Sequence, residues 1–255
     1  MASISTYVRD YGNKTFFEEP FNEIDNVVFS SLIYLNYEGI VPENRKYIRL
    51  EEAGIKYLEK YSYFEISKLG IAQKVSYQLL KQVVNTVRYK DVLMYNFKYI
   101  ADSDRQFGAV CFKVKKNFTY VAFEGTDNLL SGWKEDFELS YKFPVPAQTL
   151  AIEYINKRVR FYDKNVMVGG HSKGGNLALV SSMFAKKLVN KKIKKIYSND
   201  GPGLRKAEIE SDNYKRVRDR LIHIVPNYSY IGVLLRNDKF KVIKSTRRDF
   251  MAHSV

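Results

Sequence analysis

The chain has 255 residues, 45% of them hydrophobic, and a formal net charge of +14. These values predict a single domain over residues 1–255, and no apolar run approaches the roughly 18–20 residues that a membrane span requires. The chain does not begin with a basic stretch followed by an apolar run, and Cys111 is the only cysteine. A secretory signal and an internal disulfide are therefore not expected, which predicts a cytoplasmic protein with Cys111 in the core.

The positive charge is confined to the second part of the chain. Residues 1–150 contain equal numbers of basic and acidic side chains, so residues 151–255 carry the whole excess. A basic face of this kind attracts anionic lipid headgroups, acidic substrates or nucleic acid, although it equally serves as a solvated face that keeps a protein soluble. The clearest clusters are Lys186-Lys187, Lys191-Lys192, Lys194-Lys195 and Arg247-Arg248.

The first 90 residues are predicted to be mainly helical. Apolar residues recur at mixed three- and four-residue steps in 26–35, 50–61 and 71–87, which is typical of amphipathic helices. The segment 1–90 is also rich in aromatic residues and contains no recognisable catalytic motif. We expect it to form either a helical cap or a layer packed on a sheet.

From residue 92 the pattern changes to strands. A strand is predicted at 92–100, and the strands 107–114 and 118–123 form a hairpin. Helices and strands then alternate, which predicts a parallel sheet with crossover helices. The predicted helices are 149–162, 174–188 and 208–220, and the predicted strands are 166–168, 193–197, 221–225 and 240–243. This order fits the α/β-hydrolase fold, with a mostly parallel central sheet, an antiparallel leading hairpin and flanking helices.

The most informative motif is Gly170-His171-Ser172-Lys173-Gly174, between a predicted strand and a predicted helix. In this context G-x-S-x-G is typical of a nucleophile elbow, a strained turn in which Gly170 and Gly174 leave room because they lack a Cβ. Ser172 is the predicted nucleophile, and the Lys173 N–H at the start of the helix is a predicted oxyanion donor. The alternative is a structural or phosphate-binding turn, but neither G-x-x-x-x-G-K-[ST] nor G-x-G-x-x-G is present.

Three histidines are candidates for the general base. The side chain of His171 should leave the elbow in a different direction from the serine, and His223 lies in the middle of a predicted strand, as a core histidine would. His253 follows the last predicted strand, where α/β-hydrolases carry their catalytic histidine. His253 is therefore the predicted base.

The acid is predicted to be Asp200. It follows the strand 193–197 in a turn, and carboxyl ends of parallel strands face the crevice in which ligands bind. Asp238 and Asp249 are weaker alternatives. The three histidines are too scattered to suggest a metal site, so no metal and no organic cofactor is predicted.

The loop after the strand 118–123 resembles the class 3 lipases, in which an apolar run leads into Arg-Gly-Ser/Thr and then Trp-x-x-Asp. This chain has Phe123-Glu124-Gly125-Thr126 and then Trp133-Lys134-Glu135-Asp136. The resemblance implies that Thr126 supplies a second oxyanion donor, whereas Trp133 and Asp136 are expected to be structural. Glu124 stands where the lipases have arginine.

The same resemblance leaves two possibilities for the acid. Class 3 lipases place it one strand later, in Asp-x-Val-Pro-x-Leu-Pro, and the matching stretch here is 229–235, with Ser229 in the acid's place. Either Asp200 has taken over the role or the triad is incomplete. Together with 20–25 and 199–203, these motifs resemble a bacterial family of uncharacterised α/β-hydrolases related to class 3 lipases, from about Tyr7 to His253.

The resulting functional prediction is a serine hydrolase that cleaves a carboxylic ester in a small molecule or lipid. Amide or thioester hydrolysis would use the same residues and stays open. The alternative is a non-catalytic protein of the same fold that binds anionic lipid or nucleic acid through its basic second half. Peripheral contact with an anionic membrane is a possible addition to the first hypothesis, and nucleic acid is the less expected partner.

Overall fold

The structure is a computed structural model that describes residues 3–103, 105–126, 138–245 and 253. The N-terminal part is helical, as predicted, with a short strand between its second and third helices. The helix Glu23–Leu32 begins at a capping box in which the Asn22 side chain and the Asp25 carboxylate each accept a main-chain N–H of the other residue. The helices are α1 (Ile4–Tyr11), α2 (Glu23–Leu32), α3 (Leu50–Lys60), α4 (Tyr63–Ser67) and α5 (Ile71–Val83).

One eight-stranded sheet forms the centre of the protein. Its strands are β1 (Ile48–Arg49), β2 (Leu93–Ala101), β3 (Gln106–Lys115), β4 (Phe118–Phe123), β5 (Asn165–His171), β6 (Ile193–Asn199), β7 (Leu221–Pro226) and β8 (Lys241–Ile243). They lie side by side in chain order. The pairs from β1 to β4 are antiparallel and those from β4 to β8 are parallel. This mostly parallel sheet with antiparallel leading strands confirms the predicted α/β-hydrolase fold.

The two faces of the sheet are covered by different parts of the chain. Side chains alternate along β4, so Tyr120 packs against the N-terminal helices while Val121 packs against the helices of the parallel half. The second set of helices is α6 (Pro146–Arg158) and α7 (Lys173–Met183). The N-terminal helices thus pack on one face of the sheet, which favours the layer alternative for the segment 1–90. Both layers share one sheet, which supports the single-domain proposal.

The prediction of one continuous helix over 208–220 is wrong. The structure has three short turns there, and the Ser211 side chain accepts the Tyr214 N–H and so caps a new turn in the middle of the predicted helix. The predicted helix 174–188 likewise ends early, at Met183. The short helical segments are α8 (Lys187–Asn190), α9 (Lys206–Ile209), α10 (Asp212–Lys215) and the 3-10 turns Arg218–Arg220 and Ile231–Val233.

An ion pair holds the N-terminal layer together, and a polar network joins the layer to the parallel strands. Asp25 and Arg88 form an ion pair of 2.6 Å with neither side chain exposed. Asn26 Nδ2 donates to Asn199 Oδ1 at 2.7 Å, and Asn199 Nδ2 donates to the Gly170 carbonyl at 3.1 Å. The layer is thus bonded to the two strands that end at the predicted site.

The described helices are short. The longest have 13 residues, and none of the described helices is both long and apolar enough to cross a membrane. The cytoplasmic location stays a prediction.

Candidate active site

Ser172 lies in a strained turn between β5 and α7. Its φ is 57° and its ψ is −132°, a region that residues with a Cβ rarely adopt. A Cβ on Gly170 would lie 2.4 Å from the carbonyl carbon of Gly174, and one on Gly174 would lie 2.2 Å from the Phe123 oxygen. Both glycines are therefore required by the close approach of the backbone, as the elbow hypothesis expects.

The imidazole of His253 lies between Ser172 and Asp200. Its Nε2 is 2.9 Å from Ser172 Oγ, and its Nδ1 is 2.6 Å from Asp200 Oδ2. Because a carboxylate only accepts hydrogen bonds, Nδ1 of the neutral ring carries the proton and Nε2 accepts from the serine hydroxyl. The structure thus brings together the three residues that the sequence nominated, and their catalytic roles stay predictions.

Asp200 receives two further hydrogen bonds from the stretch that matches the lipase acid motif. The Ser229 hydroxyl donates to Oδ2 at 2.5 Å, and the Gly232 N–H donates to Oδ1 at 3.0 Å. Asp200 is only 2% exposed, and its φ of 51° lies in the left-handed region. Ser229, which stands in the place of the lipase acid, therefore serves here as a hydrogen-bond donor to Asp200.

His171 supports the backbone of His253. Its Nε2 is 2.7 Å from the His253 carbonyl oxygen, its Nδ1 is 2.9 Å from Tyr34 Oη, and its ring centroid is 4.6 Å from that of His253. Because the carbonyl only accepts, Nε2 carries the proton, and Tyr34 donates to Nδ1. Burial, followed by the charge of a protonated His253, lowers the pKa of His171 to about 3, so this ring is neutral near pH 7.

The predicted oxyanion donors lie on two adjacent segments. The loop of Thr126 packs on the elbow, since a Cβ on Gly125 would be 2.5 Å from the His171 carbonyl oxygen. The Lys173 side chain is buried, and its Nζ donates to the Gln106 Oε1 at 2.8 Å. Gln106 Nε2 donates in turn to the Gly125 carbonyl at 3.1 Å. The Lys173 side chain thereby ties the elbow to the loop of Thr126.

Comparison with known proteins places the chain in a family. The family model of the Mbeg1-like proteins matches residues 83–255, which is more than half of the chain. The chain belongs to the Mbeg1-like family. No curated protein matches it. The prediction of a lipase-related α/β-hydrolase family is confirmed, while the predicted bacterial origin stays a prediction.

Two solved structures are similar to this Mbeg1-like chain. One is the crystal structure of M37 lipase, with 12% identity, a TM-score of 0.45 and an alignment that covers 83% of this chain and 69% of that one. The other is a fungal lipase in complex with an inhibitor, with 14% identity, a TM-score of 0.38 and coverage of 71% and 72%.

The remaining candidates have no hydrogen bond to Ser172 among the described residues. His223 is buried in β7, where burial lowers its pKa and its ring packs against Phe240 at a centroid distance of 6.1 Å, as expected of a core histidine. Cys111 is buried too, and burial raises the pKa of its thiol to about 11. Asp238 is exposed. Trp133, Asp136 and Asp249 lie outside the described residues.

Sequence reasoning missed the residues that position the other groups. The sequence did mark Ser229, because it occupies the position of the acid in the class 3 lipase motif. The serine there indicated only that the acid is missing from that position. His171 is not the predicted base, and its contact with His253 spans 82 residues and leaves no local pattern. Gln106 and Tyr34 carry no motif at all.

Proposed function

We propose that this Mbeg1-like protein is a serine hydrolase that cleaves carboxylic esters, with Ser172 as nucleophile, His253 as base and Asp200 as acid. The proposal rests on the His253 imidazole, which lies 2.9 Å from Ser172 Oγ and 2.6 Å from Asp200 Oδ2. A nucleophile within reach of a base, itself oriented by a third group, is the arrangement that activates serine in unrelated folds.

The proposed reaction proceeds through an acyl-enzyme. Ser172 Oγ attacks the ester carbonyl while His253 Nε2 takes the hydroxyl proton, and His253 then returns that proton to the leaving alcohol. Water next attacks the acyl-enzyme with His253 again as base, which releases the acid and restores the serine. Asp200 stays ionised and stabilises the imidazolium in each step, with Ser229 and Gly232 donating to its carboxylate.

The N–H groups of Lys173 and Thr126 are the proposed oxyanion donors. The Lys173 amide opens α7, where the positive end of the helix dipole favours a developing negative charge. One oxyanion donor is worth about 2.7–4 kcal/mol in other serine hydrolases. The Lys173 side chain, through Gln106, would fix the spacing of the two donor segments.

Exposed apolar side chains beside Asp200 favour a substrate with an apolar acyl chain. They belong to the segment that also supplies the donors Ser229 and Gly232, and they lie at the carboxyl edge of the sheet. These side chains are Tyr228, Tyr230, Val233 and Leu234. We therefore propose a lipid or other acyl ester as the substrate class, and faster cleavage of short soluble esters than of any lipid would contradict the lipid assignment.

Covalent labelling of the serine tests the proposal directly. A fluorophosphonate probe should add one adduct to the wild-type chain, detected by intact mass, and none to Ser172→Ala. Ser181→Ala is a matched control, because it removes another buried serine hydroxyl, on α7, and should label like the wild type. A p-nitrophenyl ester series of increasing chain length then reports the acyl preference.

The competing function is a non-catalytic protein that binds anionic lipid or nucleic acid. The net charge of +14 motivates this alternative. Binding alone, however, does not explain why a buried carboxylate is hydrogen-bonded to an imidazole that is hydrogen-bonded in turn to a serine hydroxyl. Properly folded wild-type protein that takes no label would favour this alternative and reject the hydrolase. Labelling with cleavage of amides or thioesters, but not of oxygen esters, would correct only the substrate class.

A further inference from the structure

Three neighbouring segments lie at the amino-terminal ends of the parallel strands, opposite Ser172. We call these segments, 157–164, 186–194 and 215–220, the basic edge. They lead into β5, β6 and β7, the strands whose other ends approach the elbow, and the second segment includes the first two residues of β6. Lys192 Nζ donates to the Arg160 carbonyl at 2.6 Å, and Arg220 Nη1 donates to the Ile193 carbonyl at 2.6 Å. The three segments therefore form one continuous surface, about 20 Å from the site at the ~3.3 Å rise per strand residue.

Most of the net charge of +14 lies on this surface. The basic edge contains thirteen lysines and arginines and only two acidic residues, Asp163 and Asp219. Asp163 is already paired with Arg45, from outside the edge, at 3.1 Å. Burial and then the neighbouring charge of Arg216 lower the pKa of Arg220, as expected where positive groups are crowded together. An anionic partner would relieve this repulsion.

Exposed apolar side chains accompany the charge. The three most exposed large hydrophobic residues of the described chain are Phe161 at 90%, Phe17 at 82% and Leu188 at 75%. Phe161 and Leu188 belong to the basic edge, in the two segments that Lys192 joins through the Phe161 carbonyl at 2.5 Å. Apolar tips set among lysines are typical of surfaces that enter the headgroup region of a bilayer.

Phe17 lies beside the same edge of the sheet. Lys115, in the hairpin before β4, holds its Nζ 4.1 Å from the Phe17 ring centroid. The turn of that hairpin meets the start of β5, because the Asn165 N–H donates to the Asn117 carbonyl at 3.0 Å. The three protruding side chains thus surround one end of the sheet, with basic residues between them.

We propose that the basic edge, together with Phe17, Phe161 and Leu188, docks the protein on an anionic membrane surface. The lysines and arginines would contact the headgroups while the apolar tips enter the interface. A membrane fits better than nucleic acid because Leu188 offers no face on which a base could stack. In this orientation Ser172 faces away from the docked membrane, so docking favours a soluble acyl ester over a lipid of that membrane as the substrate.

Vesicle sedimentation with matched variants tests the docking surface. Vesicles of phosphatidylcholine, with and without phosphatidylserine, are incubated with the full chain at low and high salt. The wild type should bind only the anionic vesicles and should be released by salt. Phe161→Ser/Leu188→Ser should lower the partition coefficient at least tenfold, whereas Phe64→Ser/Leu69→Ser, also exposed but on and beside α4, should stay within about twofold of the wild type.

A second pair of variants separates local from total charge. Lys187→Gln/Lys191→Gln/Lys194→Gln should weaken binding at least tenfold, while Lys56→Gln/Lys60→Gln/Lys81→Gln removes the same charge from α3 and α5 and should change it far less. Equal losses in both sets, no preference for anionic vesicles, or tighter binding to duplex DNA would overturn the proposal. Ser172→Ala should bind like the wild type, so this test is independent of the proposed hydrolase.

Discussion

Asp25 in the N-terminal layer and Asp200 at the carboxyl edge of the sheet are both buried carboxylates, but their partners differ in kind. Arg88 donates to Asp25 from Nε and Nη2 at 2.7 and 2.6 Å, and Tyr89 Oη donates at 2.7 Å. Asp200 is bonded instead by the His253 imidazole at 2.6 Å, together with a serine hydroxyl and a main-chain N–H.

The difference separates a structural carboxylate from one suited to catalysis. A guanidinium keeps its charge at every relevant pH, so the pair of Asp25 and Arg88 is permanent and fixes α2 on the chain that follows α5. An imidazole gains and loses a proton near neutral pH, so Asp200 can stabilise a charge that appears only during a reaction. The same type of side chain thus anchors the chain in one region and, in the proposed mechanism, orients and stabilises the imidazole that transfers the proton in the other.

Asp200→Asn should have the largest effect on activity. The amide still accepts and donates locally, but it no longer stabilises the imidazolium or enforces the Nδ1–H tautomer of His253. We expect kcat/KM for a p-nitrophenyl ester to fall about 10⁴-fold, as in serine proteases with the same change, with the Tm nearly unchanged. Activity within tenfold of the wild type would show that Asp200 is not the acid.

Asp25→Asn should lower the stability of the fold and leave the reactivity of Ser172 unchanged, the opposite of Asp200→Asn. It leaves the Arg88 guanidinium, which is 0% exposed, without a counter-charge, and unfolding should become easier by about 3–5 kcal/mol. A thermal melt should show a Tm lower by roughly 10 °C, while the protein that remains folded labels normally at Ser172. Asp10→Asn is the matched control, because its pair with Arg9 is exposed and should matter little. Similar melts for the two variants would contradict the structural role.

Ser229→Ala tests the intermediate case of a neutral donor to the Asp200 carboxylate, the proposed acid. Loss of a hydrogen bond to a charged group costs about 1.5–3 kcal/mol, so kcat/KM should fall at least tenfold through poorer orientation of Asp200 and His253. Ser182→Ala removes a buried hydroxyl that donates to the Ala178 carbonyl at 2.7 Å, remote from the Asp200 carboxylate, and should leave kcat/KM unchanged. Equal activities for the two variants would argue against the role of Ser229.

His171→Gln should have the smallest effect at neutral pH and a visible one in acid. Because the folded pKa of His171 is about 3, below the ordinary value near 6.5, the unfolded chain binds its proton first as the pH falls. Wild-type stability should therefore decline below about pH 6.5, by up to roughly 1.4 kcal/mol per pH unit from this residue, until the pH nears 3. The His171→Gln variant should lack that contribution to the decline, measured by urea unfolding between pH 7 and pH 4.

The same position also tests the support of His253. Glutamine retains a donor for the His253 carbonyl and an acceptor for the Tyr34 hydroxyl, whereas His171→Phe has neither. His171→Phe should therefore lose more kcat/KM than His171→Gln at neutral pH. An active His171→Phe with the wild-type pH profile would remove His171 from the positioning groups.

The residues that the sequence predicted best are those whose requirements are local. The elbow needs a strand, two glycines around a serine and a helix, and all of these lie within a dozen residues of Ser172. Asp200 and His253 follow from chain order within the fold. The parallel sheet follows from the alternation of helices and strands, whereas the prediction of one helix over 208–220 is wrong because the Ser211 side chain caps a new turn there.

The parts that were not predictable depend on contacts between distant segments. Asp25 and Arg88 are 63 residues apart, and a charged residue on an amphipathic helix ordinarily faces solvent. The donor role of Ser229 depends on a carboxylate 29 residues away. The basic edge could be recognised only from the strand order, because entire strands and helices separate its segments in the sequence.

The ion pair between Asp25 and Arg88 also affects which fragments of the protein can fold. Asp25 lies before residue 83, where the family match begins, and Arg88 lies after it. A fragment of residues 83–255 would keep a guanidinium that is wholly inside the protein, discard its carboxylate and uncover the sheet face on which Phe29 packs against Phe112. We expect such a fragment to aggregate, because the residues that match the family model do not include the N-terminal helices that cover this face of the sheet.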